Sequence, residues 1–258
     1  MSQGEIIIRD TLSQLAVASA DLFAATARER VSEKGLFTVA VSGGSTPRPM
    51  HRLFAEDPYR SEVPWNKTHL FWVDERCVSR EDLASNYGLA RKDFLEKIPI
   101  PAEHIHPMPV EIPPEEGARN YQEKINSFFQ LENKEFPIFD LIFLGLGTDG
   151  HTASLFPRQR ALDERERLVV AVKGGNPYVN RLTMTLPVLN RARQIVFLVS
   201  GKEKARTLRS VFGDNQARLP VQKVHALYGT LTWLLDKKAA ALLPGEIIHV
   251  ARHLKRSL

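Results

Sequence analysis

Apolar residues follow two different periods along the chain, which predict both helices and strands. Between residues 11 and 34, apolar side chains such as Leu12, Leu15 and Leu22 recur at helical spacing, and Gly35 follows as a stop signal. Short continuous apolar runs, bounded by glycine, proline or charged residues, are typical of strands buried on both faces. Such a run at 141–144 leads into the most distinctive turn of the chain.

Helical and strand-like segments alternate along the whole sequence. Helices are predicted at 11–34, 48–56, 87–97, 115–130, 202–212 and 227–243. Strands are predicted at 36–41, 68–73, 105–108, 141–144, 168–172, 181–186 and 194–200, with an edge strand at 246–250. This alternation, without an internal repeat or a low-complexity linker, predicts an α/β fold of three layers, with a Rossmann-like, mainly parallel sheet covered by helices on both faces.

Length and composition are those of one compact domain, which we predict to span residues 1–258. The chain has 258 residues, of which 43% are hydrophobic, enough for a large core. Its single cysteine, Cys77, excludes an internal disulfide. The sequence begins without the pattern of a secretory signal and has no apolar run of membrane-spanning length. We therefore expect a soluble, cytoplasmic protein without a membrane partner.

Positive charge is concentrated in two places. The net charge is +5, and much of the excess lies in four arginines from Arg158 to Arg167 and in the basic tail Arg252, Lys255 and Arg256. No helix-turn-helix, zinc-finger or aromatic-rich RNA-binding pattern accompanies this charge, so we expect no nucleic-acid partner. An anionic small substrate or a solvated basic surface would account for it.

The glycine-rich turn after residues 141–144 carries an acid and a histidine. Asp149 and His151 are two positions apart, so in an extended turn both side chains can face one pocket. In an open parallel sheet, the carboxyl ends of the strands face a crevice where ligands bind, and glycines let backbone amides approach the ligand. The turn is therefore a candidate catalytic site.

The same turn contains the glycine spacing of dinucleotide-binding proteins. Gly145, Gly147 and Gly150 match the pattern G-x-G-x-x-G. That motif also requires a helix that opens at the turn and an acidic residue about twenty positions later. Pro157 limits a helix here, and the next strand-like run leads into Lys173. The sequence therefore disfavours a dinucleotide cofactor.

A second turn is a candidate anion site. Ser42, Gly43, Gly44, Ser45 and Thr46 lie between a predicted strand and a predicted helix that begins near Pro47. Unpaired amides and the helix dipole at such a helix start favour negative charge. An ordinary strand-to-helix turn, in which Ser45 or Thr46 caps the helix, would show the same pattern.

Further charged residues lie at positions that are typical of a ligand-binding crevice. Asp74, Glu75 and Arg76 end the predicted strand 68–73, which would place them in the same crevice, although a solvated turn is an alternative. Lys204 lies in the first turn of a predicted helix, where a cation is unfavourable unless an anion is bound. His104 and His106 have no third ligand at metal spacing, so no metal site is predicted.

Six short motifs, taken in order, resemble the 6-phosphogluconolactonase family. They cover nearly the whole chain, and the related glucosamine-6-phosphate deaminases share several of them. The motifs are Ser42–Pro47, Asp74–Arg76, Ser85-Asn86, Gly145–Pro157, Arg181–Thr185 and Ser200-Gly201-x-x-Lys204-Ala205. The resemblance implies hydrolysis of 6-phospho-D-glucono-1,5-lactone to 6-phospho-D-gluconate. Since the substrate is already a reactive ester, we expect no metal or cofactor. We predict a monomer or weak homo-oligomer, although the sequence does not reveal the oligomeric state.

The resemblance also assigns roles to the residues. The substrate phosphate would be held by Ser42, Gly43, Gly44, Ser45, Thr46, Arg181 and Lys204. The catalytic group would consist of His151, Asp149, Asp74 and Arg76. His151 is the natural base, since an imidazole titrates near neutral pH and Asp149 can orient it.

Two other functions remain open at the level of sequence. One is an isomerising deaminase of an amino-sugar phosphate, which carries a glutamate shortly after the histidine, where this chain has Ser154, Leu155 and Phe156. The other is a sugar-phosphate-sensing regulator on the same fold, which would normally carry an appended DNA-binding module. The absence of that glutamate and the lack of space for such a module favour the lactonase.

Overall fold

A computed structural model describes residues 4–213 and 217–245, which contain strands and helices in alternation. The strands are β1 (Glu5–Arg9), β2 (Phe37–Val41), β3 (Thr68–Trp72), β4 (Asp74–Arg76), β5 (Ile105–His106), β6 (Leu141–Leu144), β7 (Val169–Gly174), β8 (Val179–Met184), β9 (Gln194–Val199) and β10 (Thr230–Asp236). The α-helices are α1 (Leu12–Lys34), α2 (Arg48–Phe54), α3 (Tyr59–Glu62), α4 (Asn86–Ala90), α5 (Pro114–Phe129), α6 (Leu186–Leu189) and α7 (Ala205–Gly213).

The strands form two sheets. Seven of them make a parallel sheet in the order β1-β10-β9-β6-β2-β3-β5. The other three make a small antiparallel sheet in the order β4-β8-β7. The predicted fold class, α/β with a mainly parallel sheet, is confirmed. The small second sheet was not predicted.

The central strands are buried because helices and loops cover the large sheet. Every residue of β2 and β6 is buried, as expected for strands that read as continuous apolar runs. Helix α1 contacts both β2 and β10. Its ends are set locally: the Thr11 side chain accepts a hydrogen bond from the Gln14 N–H, and Gly35 takes the left-handed conformation at φ 80°.

The predicted helix at 227–243 is wrong. Its centre is β10, an interior strand between β1 and β9, followed by a 3₁₀ turn at Ala239–Leu242. The backbone at Gly229, just before β10, packs closely against the backbone of Arg193. Only glycine fits there, because a Cβ atom would lie 2.0 Å from the carbonyl oxygen of Arg193. Strand pairing on both sides therefore overrides the helical spacing of the leucines.

Several element boundaries also differ from the predicted ones. The predicted helix 87–97 is α4 followed by a π-helical turn, Arg91–Leu95, and the predicted helix 202–212 begins as a 3₁₀ turn, Lys202–Lys204. The predicted strand 105–108 is reduced to β5. Strands β1 and β4 and helices α3 and α6 were not predicted. The predicted edge strand at 246–250 lies outside the described residues.

Within the described ranges, the structure contains no helix that is both long and apolar enough to cross a membrane.

Candidate active site

One cavity of about 280 Å³ brings together residues from both sheets. Its lining includes the segments that follow β2, β6 and β9 in the large sheet, and side chains of β4 and β8 in the small one. All predicted site residues line it except Asp149. The lining members of the predicted set are Ser42, Gly43, Gly44, Ser45, Thr46, Asp74, Arg76, His151, Arg181 and Lys204.

His151 and Asp149 form a close pair at the cavity wall. The His151 Nδ1 atom lies 2.5 Å from the Asp149 Oδ1 atom, which also accepts the His151 backbone N–H at 3.1 Å. Gly147 permits this approach, because a Cβ atom there would lie 2.1 Å from the histidine Nδ1. With Asp149 accepting the Nδ1 proton, the lone pair of His151 lies on Nε2, as a general base requires.

The acidity of Asp149 reflects this pairing. Burial by itself raises the pKa of the carboxyl group, but the hydrogen bond and charge of His151, together with backbone N–H donors, outweigh burial. The net result is a lowered pKa, so Asp149 is a carboxylate near neutral pH. A carboxylate in this position orients the imidazole and stabilises its cation.

The turn around this pair does not open a helix. Gly150 has φ 82°, the Gly147 N–H donates to the His151 carbonyl oxygen at 2.8 Å, and Thr152 forms an isolated bridge with Leu155. The next helical segment is a 3₁₀ turn at Arg160–Asp163. The dinucleotide motif therefore lacks its helix N-terminus here.

The loop from Ser42 to Thr46 lies against the neighbouring segments that carry Asn86 and Phe143. The Ser42 hydroxyl donates to the Phe143 carbonyl oxygen at 3.0 Å. Gly43 must lack a side chain, because a Cβ atom would lie 1.9 Å from the Asn86 Oδ1. The expected cap of α2 by Ser45 or Thr46 is wrong, since Pro47 occupies the cap position without a side-chain hydrogen bond. The hydroxyl groups of these two residues therefore remain available for a ligand.

Two arginines lie side by side across the small sheet. Arg76 and Arg181 are paired residues of β4 and β8. Burial, and then the charge of Arg76, lower the pKa of Arg181. Arg76 Nε is buried without a hydrogen-bond partner. Neither arginine, nor Lys204, forms a salt bridge with any residue that the structure describes. Although these cations form no direct ion pair with a described residue, the charges of Asp74 and Glu75 act on Arg181. Such a basic lining favours a bound anion.

Hydrogen bonds hold both arginines and the loop that precedes Lys204. Arg181 Nε donates to the Gly174 carbonyl oxygen at 2.9 Å and Nη2 to that of Pro177 at 3.2 Å, while Arg76 Nη1 donates to the Ala84 carbonyl oxygen at 2.6 Å. The loop before Lys204 is fixed by Asp236, which accepts hydrogen bonds from the Ser200 hydroxyl at 2.6 Å and the Gly201 N–H at 3.1 Å.

Three supporting residues were not among the predicted site residues. The Ser154 hydroxyl donates to Asp74 Oδ2 at 2.6 Å, and Asn86 Nδ2 donates to the Asp74 carbonyl oxygen at 2.8 Å. The buried Glu75 carboxylate accepts the backbone N–H groups of Arg76, Asn86 and Tyr87. All three residues lie within motifs that the sequence analysis singled out, Asp74–Arg76, Ser85-Asn86 and Gly145–Pro157, but their contacts with one another were not predicted.

Other candidate features lie outside the cavity. Arg158, Arg160, Arg165 and Arg167 are exposed and do not line it, and Arg167 pairs with Glu164 at 2.6 Å. A larger depression of about 910 Å³ contains none of the predicted site residues. Within the part of the chain that is described, no three His, Cys, Asp or Glu side chains are arranged to hold a metal ion.

Comparisons with known proteins agree with the geometry. Residues 10–233 match the family model described as "Glucosamine-6-phosphate isomerases/6-phosphogluconolactonase". A 6-phosphogluconolactonase of Synechocystis sp. is 45% identical over 213 residues, which are 81% of this chain and 85% of the relative. The solved 6-phosphogluconolactonase of Trypanosoma cruzi has a TM-score of 0.83 at 27% identity, covering 93% of this chain and 96% of that one.

A solved monomeric glucosamine-6-phosphate deaminase has a TM-score of 0.78 at 20% identity and covers 92% of this chain and 99% of its own. That similarity establishes the shared fold alone. The family-level matches confirm both the resemblance and the prediction of an enzyme. The chain belongs to the glucosamine-6-phosphate isomerase/6-phosphogluconolactonase family.

Proposed function

We propose that the protein hydrolyses 6-phospho-D-glucono-1,5-lactone to 6-phospho-D-gluconate, the second step of the oxidative pentose phosphate pathway. The observation that carries this proposal is a single cavity lined by His151, which is hydrogen-bonded to Asp149, and by the cations Arg76, Arg181 and Lys204. The names of the family members support the same activity.

His151 would act first as a base and then as an acid. Its Nε2 takes a proton from a water molecule, whose oxygen attacks the lactone carbonyl carbon to give a tetrahedral oxyanion. When the intermediate collapses, the bond from that carbon to the ring oxygen breaks. The imidazolium returns its proton to the ring oxygen, which becomes the free hydroxyl of the product. Asp149 stabilises the transient cation, and Arg76 faces the oxyanion or the new carboxylate.

The phosphate would bind at the basic side of the cavity. Arg181 and Lys204 supply charge, while the loop 42–46 supplies hydroxyl and amide groups. A phosphate would also relieve the unfavourable interaction of Lys204 with the start of α7. The substrate would thus be anchored away from the reacting carbonyl.

The segment after His151 disfavours the deaminase alternative. Opening an amino-sugar ring and moving a proton between carbons requires a further acid or base near the histidine. Ser154 is bonded to Asp74, and Leu155 and Phe156 are buried apolar side chains. None of these residues supplies an acid–base group of suitable pKa.

The experiment is an assay of the purified protein with both substrates. Loss of 6-phosphogluconolactone should exceed spontaneous hydrolysis at slightly acidic pH, where the background is low, and glucosamine 6-phosphate should release no ammonia. Since an ester is already a reactive electrophile, we propose that no metal or nicotinamide is required, and activity should survive chelation. Ammonia release at a comparable rate would establish the deaminase instead.

We also propose that the protein acts in the cytoplasm as a monomer or weak homo-oligomer, without a nucleic-acid or membrane partner. The proposed catalytic and phosphate-binding groups, His151, Arg181 and Lys204, line one cavity of this chain, which is compatible with activity as a monomer. Sedimentation of the purified protein over a range of concentrations tests the oligomeric state. A stable oligomer at low concentration would contradict it.

A further inference from the structure

The Asp74 carboxylate has different hydrogen-bond partners from the Asp149 carboxylate. Asp74 is 5% exposed and lines the cavity. Its Oδ2 accepts the Ser154 hydroxyl at 2.6 Å, whereas its Oδ1 has no hydrogen-bond donor among the residues that the structure describes. An ionised carboxylate has about four acceptor positions and no donor. Oδ1 of this cavity-lining residue is therefore an unused hydrogen-bond acceptor.

Ser154 is placed to orient this acceptor. Its side chain is fully buried, and its backbone N–H donates to Thr183 Oγ1 at 3.2 Å, in the strand that pairs with Asp74. The preceding residue, Ala153, has the left-handed φ of 49°, which an alanine seldom adopts. The turn thus directs a hydroxyl at Asp74 from a chain segment 80 residues away.

The proposed role of general base already belongs to another pair, His151 and Asp149. Asp149 holds His151 at Nδ1, and no hydrogen bond joins Asp74 to that histidine in the described structure. Asp74 is instead fixed at two points, by Ser154 at its carboxylate and by Asn86 at its backbone carbonyl. This double attachment suits a group that recognises the substrate in one orientation.

We infer that Asp74, oriented by Ser154, accepts a hydrogen bond from a ring hydroxyl of the sugar lactone and so selects polyhydroxylated substrates. This inference rests on the proposed function. The lactone ester and the phosphate dianion offer only acceptors, so the ring hydroxyls are the only donors on the substrate. The phosphate has no donor and would be repelled by a carboxylate, so it is not the group from which Asp74 accepts a hydrogen bond.

The test compares the parent lactone with its 2-deoxy, 3-deoxy and 4-deoxy analogues. For the wild type, removal of one particular hydroxyl should lower kcat/KM about 10- to 100-fold, the range for a hydrogen bond to a charged group. Asp74→Ala should show a similar loss on the parent and no further loss on that analogue. Asp74→Asn, which is nearly isosteric and guards against misfolding, should discriminate less than the wild type.

Ser154→Ala should weaken the discrimination because the carboxylate loses its fixed orientation. Thr152→Ala is the matched control: it removes a hydroxyl of the same turn that is bonded to Gly145 rather than to Asp74. It should leave the ratio between parent and deoxy lactones unchanged. Wild-type discrimination in Ser154→Ala would remove Ser154 from the inference.

Equal losses on all four lactones in both Asp74 variants would overturn the recognition role and indicate participation in the chemistry. A wild type that hydrolyses all four equally would overturn it as well, while leaving the proposed function intact. Failure of the wild type to hydrolyse the parent lactone would instead refute the proposed function, and the inference with it.

Discussion

At the scale of single residues, His151 depends on one hydrogen bond for its orientation. Because general-base catalysis contributes about 10²–10⁴ in rate, His151→Ala should lower kcat by that order and leave substrate binding largely intact. His225→Ala, at an exposed histidine outside the cavity, is the control and should keep normal kcat. A His151 variant that retains half its turnover would exclude this residue from the mechanism.

Lys204 and Arg181 should differ in their effects, although both are predicted phosphate ligands. Lys204→Ala should mainly raise KM, since contacts to a remote phosphate exist in the ground and transition states alike. Arg181→Ala should also lower kcat, because its guanidinium holds the carbonyl groups of Gly174 and Pro177. Unphosphorylated glucono-1,5-lactone is the control substrate, on which Lys204→Ala should have no effect. An unchanged KM for the phosphorylated lactone would exclude Lys204 as a ligand.

The residues that line the cavity could be predicted where they lie within a local sequence motif. Asp149 and His151 are two positions apart, so their pairing follows from the turn itself. Ser154 and Asp74 are 80 positions apart, and no local pattern reveals that the two meet. From the sequence, Ser154 was identified only as a residue that cannot act as a base.

At the scale of elements, the loop 42–46 depends on the fit between Gly43 and Asn86. Gly43→Ala should destabilise the protein by about 1–3 kcal/mol, the usual range for overpacking, because the new Cβ would overlap the amide of Asn86. The measurement is the free energy of unfolding in denaturant. Gly145→Ala is the matched control, since a Cβ there meets no atom within 4 Å.

Combining Gly43→Ala with Asn86→Ala should recover part of the lost stability, because the two closest overlapping atoms belong to the Asn86 amide. Strictly additive losses would show that the strain at Gly43 has another source.

The wrong helix prediction at β10 shows that the local sequence alone does not distinguish a strand from a helix there. Leu231, Trp233, Leu234 and Leu235 fit a buried helix as well as a strand, since a short apolar run has no distinct period. The outcome depends on β1 and β9, which pair with both edges of this segment. By contrast, β2 and β6 were predicted correctly because glycine-rich turns end them abruptly.

At the scale of the whole molecule, buried histidines should make stability depend on pH. Burial lowers the pKa of His51 and of His69 to about 4, and of His106 to about 3. In the unfolded chain these groups titrate near 6.5, so the unfolded state takes up protons first as the pH falls. Stability should therefore decline below pH 6.5, by about 2–3 kcal/mol from His51 alone by pH 4.5.

Denaturant unfolding at pH 7, 6, 5 and 4.5 measures this decline. The carboxylates with lowered pKa, such as Glu164, lose their contribution mainly below about pH 5. Glu75, whose pKa burial raises, takes up its proton first in the folded state and adds stability as the pH falls. The difference between the wild type and His51→Leu therefore isolates the histidine contribution. His51→Leu should flatten the profile, whereas His225→Gln should not. We propose one cooperative transition at each pH, as for a single domain; a pH-independent midpoint would contradict the histidine argument.

Alternation of helices and strands was enough to predict the α/β class, but not how the cavity is built. The small sheet joins β4 to strands that follow more than 90 positions later, and it supplies Asp74, Arg76 and Arg181. Such pairing depends on long-range contacts. The motifs predicted the site residues, and only the tertiary structure shows that they come from two sheets.

The first strand has a consequence for aggregation. β1 pairs along one edge with β10 and covers a strand whose Trp233, Leu234 and Leu235 are almost fully buried. At the opposite edge, β5 is only two residues long, and so short a strand offers little template for association. A shortened chain that lacked residues 4–10 would present the unpaired N–H and C=O groups of β10 to other molecules. Such an apolar edge promotes intermolecular strand pairing, so we expect β1 to limit aggregation as well as to complete its sheet.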